Sequence, residues 1–208
     1  MLPGGEHIYL LLYVDDMLIA SRSWPEIDKL KKNLSSEFEM KDLDEAKKVL
    51  GMEIEWDRKS DKICLTQKGY LKKNCFNNND DTKPVSTPLA PHFKLKVVMS
   101  LTTVEEHDYM SHILYASTVN SLIFAMVCTR PNLSQDVSMV RRYMHDPSRG
   151  YWEVVKWILR YTKDTIDVAL VFKKDTIGKQ ECIRYVNSDY TGDLDKRRST
   201  MGYVFTLS

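Results

Sequence analysis

The chain has 208 residues, 43% hydrophobic and 28% charged, with a formal net charge of +1. That length suffices for one good core or two small ones. The near-neutral balance gives no global basic signature of nucleic-acid binding, and no apolar stretch reaches membrane-spanning length. Cys64, Cys75, Cys128 and Cys182 have neither metal-ligand nor redox spacing, so reduced, mostly buried thiols are expected. The opening Met1-Leu2-Pro3-Gly4-Gly5 lacks the basic and apolar regions of a signal peptide. An intracellular protein, in a cytoplasmic particle or the nucleus, is the expectation.

Two apolar runs, 8–12 and 17–20, are short and bounded by polar residues, and they read as buried strands. Tyr13-Val14-Asp15-Asp16 between them reads as a hairpin tip. Asp favours turns, so an ordinary turn is one reading. Adjacent carboxylates also suit a hard divalent cation, which takes carboxylate oxygens together with a substrate phosphate. Ser23-Trp24-Pro25-Glu26 then has the form of a capping box with proline in the first turn. Ile27, Leu30, Leu34 and Phe38 recur at helical spacing and predict an amphipathic helix on the hairpin's sheet. Residues 52–56 and 62–65 alternate around the polar turn 57–61 and predict a second hairpin. A short helix over about 67–75 follows.

Asn77-Asn78-Asn79-Asp80-Asp81 and the prolines Pro84, Pro88 and Pro91 mark a long polar connection, the best boundary candidate. Thr103-Val104-Glu105-Glu106 opens a helix with a second capping box. Tyr109, Ile113, Ala116, Val119, Leu122, Ile123 and Met126 supply its apolar stripe, and Arg130-Pro131-Asn132 breaks it. A helix over 133–144 ends before Pro147, and another over 151–162 carries Trp152, Val155, Ile158 and Leu159 on one face. Together they predict a small bundle. Arg141, Arg142, Arg149, Lys156, Arg160 and Lys163 lie between 139 and 163 against only Asp146 and Glu153. Such a stretch suits either phosphate tracking or a solvated helix face. Strands are predicted over 168–172, 182–186 and 201–205. His7, His92, His107, His112 and His145 show no ligand spacing, and no serine or threonine sits in a nucleophile pattern.

Tyr13-Val14-Asp15-Asp16 between apolar strands resembles the catalytic hairpin of reverse transcriptases. Six further segments resemble, in order, the copia-type LTR retrotransposon polymerase. They are Phe38-Glu39-Met40-Lys41-Asp42-Leu43, Leu50-Gly51-Met52-Glu53-Ile54 and Lys83-Pro84-Val85-Ser86-Thr87-Pro88-Leu89, then Cys128-Thr129-Arg130-Pro131-Asn132, Trp157-Ile158-Leu159-Arg160-Tyr161 and Gly192-Asp193-Leu194-Asp195-Lys196-Arg197-Arg198-Ser199-Thr200. Any one is weak; six in order, covering nearly the whole chain, are specific.

The resemblance implies an α+β chain in four parts. Residues 1–76 would be the C-terminal part of the polymerase palm with its primer-grip hairpin, and 77–104 a linker. Residues 105–165 would be the helical thumb or connection, and 166–208 the start of an RNase H-like domain. By the same resemblance Asp15 and Asp16 are metal-binding catalytic carboxylates for Mg²⁺ or Mn²⁺. Tyr13, Val14, Gly51 and Met52 lie against the primer terminus. On local charge rather than on the resemblance, Arg141, Arg142, Lys156 and Arg160 are the candidate nucleic-acid contacts. The implied partners are an RNA template, a DNA primer, a deoxynucleoside triphosphate and the remaining Pol segments, with no membrane.

The family draws another essential carboxylate from a strand far upstream, whereas none of the fourteen residues before Asp15 is Asp and Glu6 shares the same strand. The fingers are also absent, so the fragment is expected to be inactive alone. At the other end Asn187 replaces the family's first acidic position, or Asp189 serves as the metal ligand. A non-catalytic nucleic-acid-binding or scaffold relic is the alternative function. A third possibility is a product whose apolar strand at 8–14 has open edges and aggregates.

Overall fold

In the computed structural model, residues 7–75, 83, 85–89, 103–174, 182–193 and 198–207 are described. The chain divides into two compact units, the first ending at Glu55 and the second beginning at Trp56. Helices and strands are mixed throughout, as an α+β reading requires.

In the first unit, β1 (Ile8–Tyr13) and β2 (Asp16–Ser21) form an antiparallel hairpin in the register Tyr13↔Asp16 to Ile8↔Ser21. Apolar residues on both strands and a two-residue connection favour this local pairing. α1 (Trp24–Glu37) follows and packs on β2. Its apolar spacing buries Ile27 and half-buries Leu30 and Leu34. Phe38 lies past the helix end and is exposed. The predicted capping box does not close, because the Ser23 side chain accepts nothing from the first turn. Instead the Ser23 N–H donates to Ser21 Oγ at 3.3 Å. The Lys31 ammonium meets the Asp42 carboxylate at 2.8 Å and holds its pKa below the usual range.

The sequence reading missed a second turn. β3 (Lys48–Val49) pairs with β4 (Met52–Asp57) through Leu50-Gly51, with Val49 opposite Met52. Both turn residues have positive φ, 51° and 70°. Gly51 adopts that conformation without strain, as a two-residue hairpin requires.

β1 corrects an expectation. It was predicted as a buried strand, yet Tyr9, Leu10, Leu11, Leu12 and Tyr13 are all exposed, Leu12 at 63%. Among the described residues β1 pairs only with β2, so its other edge carries no partner strand. An open apolar edge templates association. Leu12→Lys is therefore expected to raise the soluble, monodisperse fraction in size-exclusion chromatography. An unchanged elution profile would mean that β1 does not drive association.

In the second unit, β5 (Lys62–Thr66) leads into α2 (Lys68–Asn74). β6 (Leu170–Lys173) pairs antiparallel with β5, from Lys62↔Lys173 to Leu65↔Leu170. The sequence reading groups this strand with those after it, but local pattern carries no information about a partner a hundred residues away.

The core of the second unit is helical. The predicted helix from Thr103 is two helices, α3 (Val104–Ser111) and α4 (Tyr115–Cys128), bent by 54°. Leu114 leaves helical geometry at the break and is exposed. The bend lets α3 meet the start of a later helix while α4 packs into the core. Among the described residues no single helix is long and apolar enough to cross a membrane.

Pro131 ends the run, and a single 3-10 turn (Pro131–Leu133) leads into α5 (Ser134–Arg141), shorter than predicted. α6 (Arg149–Asp164) is longer than predicted at both ends. Val119, Leu122 and Ala125 of α4, Val137 and Val140 of α5, and Tyr151, Val154, Val155 and Ile158 of α6 are fully buried. Burying each large aliphatic side chain contributes about 1.5–3 kcal/mol. Tyr115 Oη donates to the Val140 carbonyl at 2.9 Å, tying α4 to α5, and burial pushes its pKa up. Of the predicted stripe, Ala116 and Tyr109 are exposed instead. The piece of the linker described, 85–89, lies on this core: Leu89 packs against it, and the Thr87 carbonyl accepts from Trp157 Nε1 at 2.9 Å. Asn77 to Asp81, Pro84 and Pro91 lie outside the described residues.

Asp136 is a buried carboxylate in the first turn of α5, 6% exposed. Burial pushes its pKa from 3.8 up to about 6. The folded state thus favours the protonated form. This contribution to stability is full below pH 3.8 and is lost as pH rises through about 6. Asp136→Asn is expected to stabilise the protein by about 2 kcal/mol near pH 7, and not at all below about pH 4. Urea unfolding at the two pH values checks this; equal effects at both would exclude an ionised buried carboxylate.

β7 (Cys182–Asp193) and β8 (Arg198–Leu207) form a separate antiparallel pair. Tyr185, Val186, Tyr203, Val204 and Phe205 on these strands are exposed. The thiols correct another expectation: Cys75 is buried, Cys64 and Cys128 are half-buried, and Cys182 is exposed. All four are unbridged, and burial pushes Cys75 up to about 11.

Candidate functional site

Tyr13 and Asp16 are directly opposed across the hairpin, leaving Val14 and Asp15 as its two-residue tip. Opposed residues project from the same face, so the Tyr13 ring and the Asp16 carboxylate share one side of the ribbon. Asp15 sits in the turn. Both carboxylates are exposed, and Val14 is 79% exposed. Val14 has φ of 50°, a left-handed conformation that costs a β-branched residue about 1–3 kcal/mol. A turn chosen for stability alone would place Gly or Asn there.

Among the described residues no group of three or more His, Cys, Asp or Glu side chains is placed to hold a metal ion. Two adjacent carboxylates on an exposed tip supply part of a ligand set for a divalent ion, which takes six or more oxygens. They do not by themselves fit as its site. Gly51 in the β3–β4 turn and Met52 at the start of β4 belong to a different sheet from the β1–β2 hairpin. Asn187 and Asp189 lie on β7 opposite Gly202 and Thr200; their side chains lie outside the described residues.

The basic residues separate into two groups. On α6, the Lys156 ammonium meets Glu153 at 2.6 Å, and the Arg160 guanidinium lies 4.9 Å over the Trp157 ring. Both are half-buried and engaged within the chain. Arg141, Arg142 and Arg149 are exposed around the α5–α6 connection.

A hydrogen-bonded structural node surrounds Arg130, which is fully buried. Pro131 disfavours helical geometry in the residue before it, and Arg130 accordingly turns away from α4. Its Nη1 donates to the Thr165 carbonyl at 2.7 Å, and its Nη2 to Thr165 Oγ1. The guanidinium lies 5.9 Å from the Tyr161 ring centre. Thr129 Oγ1 donates to Gln67 Oε1 at 2.6 Å, and Asn132 Nδ2 to Tyr161 Oη at 3.0 Å. This one segment therefore ties α4 to the start of α2 and the end of α6. In the sequence this stretch, Cys128 to Asn132, stands out as one of the segments that carry the resemblance and as the break of an apolar helix, but neither signal points to a buried guanidinium.

The chain belongs to the reverse transcriptases of copia-type retrotransposon Pol polyproteins. The profile described as Reverse transcriptase (RNA-dependent DNA polymerase) matches residues 2–91, which include the hairpin tip. The retrovirus-related Pol polyprotein from transposon TNT 1-94 of Nicotiana tabacum is 47% identical over 203 residues, covering 97% of this chain and 15% of that protein. The Pol polyprotein from transposon RE1 of Arabidopsis thaliana is 31% identical over 205 residues, 98% of this chain and 13% of that protein. An uncharacterized mitochondrial protein of Arabidopsis thaliana is 35% identical over 202 residues, 96% of this chain and 79% of that protein. The chain thus spans a small part of the polyproteins it matches. No solved structure matches it.

Proposed function

We propose that these 208 residues serve RNA-directed DNA synthesis as the part of the polymerase that presents Asp15 and Asp16 to the primer terminus. The observation that carries this reading is the strained two-residue tip, which holds both carboxylates in solvent within the family-matched stretch. Backbone strain of this kind collects at functional sites. Tyr13 and Val14 would form the surface under the primer's last nucleotide, with Gly51 and Met52 helping to position the strand. The remaining ligands of the site, and the pocket for the incoming deoxynucleoside triphosphate, would come from residues outside the described ones. Asp15 and Asp16 would supply part of the ligand set of a divalent ion, whose charge would serve phosphoryl transfer.

In this reading, residues 1–76 belong to the palm with its primer grip. Residues 105–165 are thumb or connection, and 166–208 lead into an RNase H-like domain. Arg141, Arg142 and Arg149, exposed around the α5–α6 connection, would face the nucleic-acid backbone.

The test is Mg²⁺-dependent extension of a DNA primer on an RNA template. The chain is assayed alone and joined to the upstream polymerase segment of a copia-type Pol polyprotein. Extension by the joined protein is the expected result. A folded joined protein that binds primer–template and extends nothing would overturn the catalytic reading.

A further inference from the structure

We propose that α3 is an acidic latch, which closes the α5–α6 corner until the phosphate backbone of a nucleic acid displaces it. The proposal rests on the nucleic-acid reading above and adds a regulation to it.

Three contacts define the latch. Glu106 does not reach back to its own capping box, although Thr103 Oγ1 accepts the Glu106 N–H at 3.2 Å. Its Oε1 instead accepts the Arg149 N–H at 3.2 Å. That N–H is the first of the 16-residue helix α6, where unpaired donors and the helix dipole attract anions. One turn along α3, the Tyr109 ring carries the Arg149 guanidinium 5.0 Å from its centre. A carboxylate and an aromatic ring thus hold the backbone and the side chain of one arginine.

An independent feature points to a ligand at this helix end. Ser148 is the N-cap of α6, yet its side chain makes no capping bond. It is 1% exposed, and its Oγ has no hydrogen-bond partner among the described residues. Leaving a buried hydroxyl unpaired is destabilising. A phosphate oxygen at the helix end would accept from that hydroxyl and take the place of the Glu106 carboxylate. Arg141 and Arg142, exposed at the other side of the same connection, would meet neighbouring phosphates.

α3 is suited to leave. Only Met110 of its eight residues is buried, so undocking it exposes little core. Local segments with few buried contacts open most easily.

The experiment measures binding of a fluorescent RNA–DNA hybrid duplex to the full chain, with amide exchange read in α3. Glu106→Gln keeps the side chain's shape and removes the charge that competes with phosphate. It is expected to tighten binding about five- to tenfold. Tyr109→Leu should do the same more weakly, and Arg149→Ala should weaken binding. Glu105→Gln makes the same charge change on an exposed neighbour outside the contact, and should alter affinity less than about twofold. Added duplex should speed exchange in α3. Equal effects of Glu106→Gln and Glu105→Gln, or exchange in α3 that duplex leaves unchanged, would overturn the latch while leaving the nucleic-acid reading intact. No binding by the wild type or any variant, with melts matched, would overturn both.

Discussion

Primer extension by the chain joined to its upstream polymerase segment is expected to fall about 10²–10⁴-fold when Asp15 or Asp16 is replaced by asparagine, equal to about 3–5 kcal/mol of barrier. The substitution is nearly isosteric. Asn tolerates turns as Asp does, so the hairpin should persist. Both side chains are exposed. Unfolding free energy should therefore change by no more than about 0.5 kcal/mol. What changes is charge: an amide cannot supply the anionic oxygen that a hard divalent ion takes. Loss of extension with unchanged duplex affinity and an unchanged melt is the signature of a catalytic carboxylate. Extension retained by both variants would make the pair a mark of descent only.

The second large effect is on stability. Arg130→Ala is expected to destabilise the helical unit by about 2–4 kcal/mol, read as a lower urea midpoint with an unchanged slope. The residue is fully buried, and its guanidinium satisfies both the carbonyl and the hydroxyl of Thr165 at the end of α6. Alanine removes those donors and leaves a cavity. Arg130→Met should cost less, about 1–2 kcal/mol. Methionine fills much of the volume, and it removes a charge whose desolvation already pushes the guanidinium pKa down. Equal losses for the two variants would show that the hydrogen bonds, rather than packing, hold the node.

Much of the local structure was legible because it depends on neighbours in sequence. Short apolar runs bounded by polar residues gave the β1–β2 hairpin and placed Asp15 and Asp16 at its tip. Apolar spacing gave the buried face of α6, where Val155 and Ile158 lie as expected. Proline marked the end of α4 and the start of α1. The capping box at Thr103 was half legible: its hydroxyl caps α3, but the glutamate that should answer it is drawn to a different helix.

The tertiary structure alone decided what depends on distant partners. Leu10, Leu11 and Leu12 have the composition of a buried strand, but composition does not supply the strand or helix that would cover them, and they stand in solvent. The stripe from Tyr109 to Met126 reads as one helix, yet contacts to α6 at one end and to the core at the other divide it. β6 finds β5 across the whole helical unit. Arg130 stands in the sequence as part of a helix break, and its burial against Thr165 is decided by the fold. Dihedral preference and side-chain period are set within a few residues of the chain, so sequence determines them. Burial, strand partners and the fate of an unpaired charge are set by which segments meet, and that information exists only once the chain has folded.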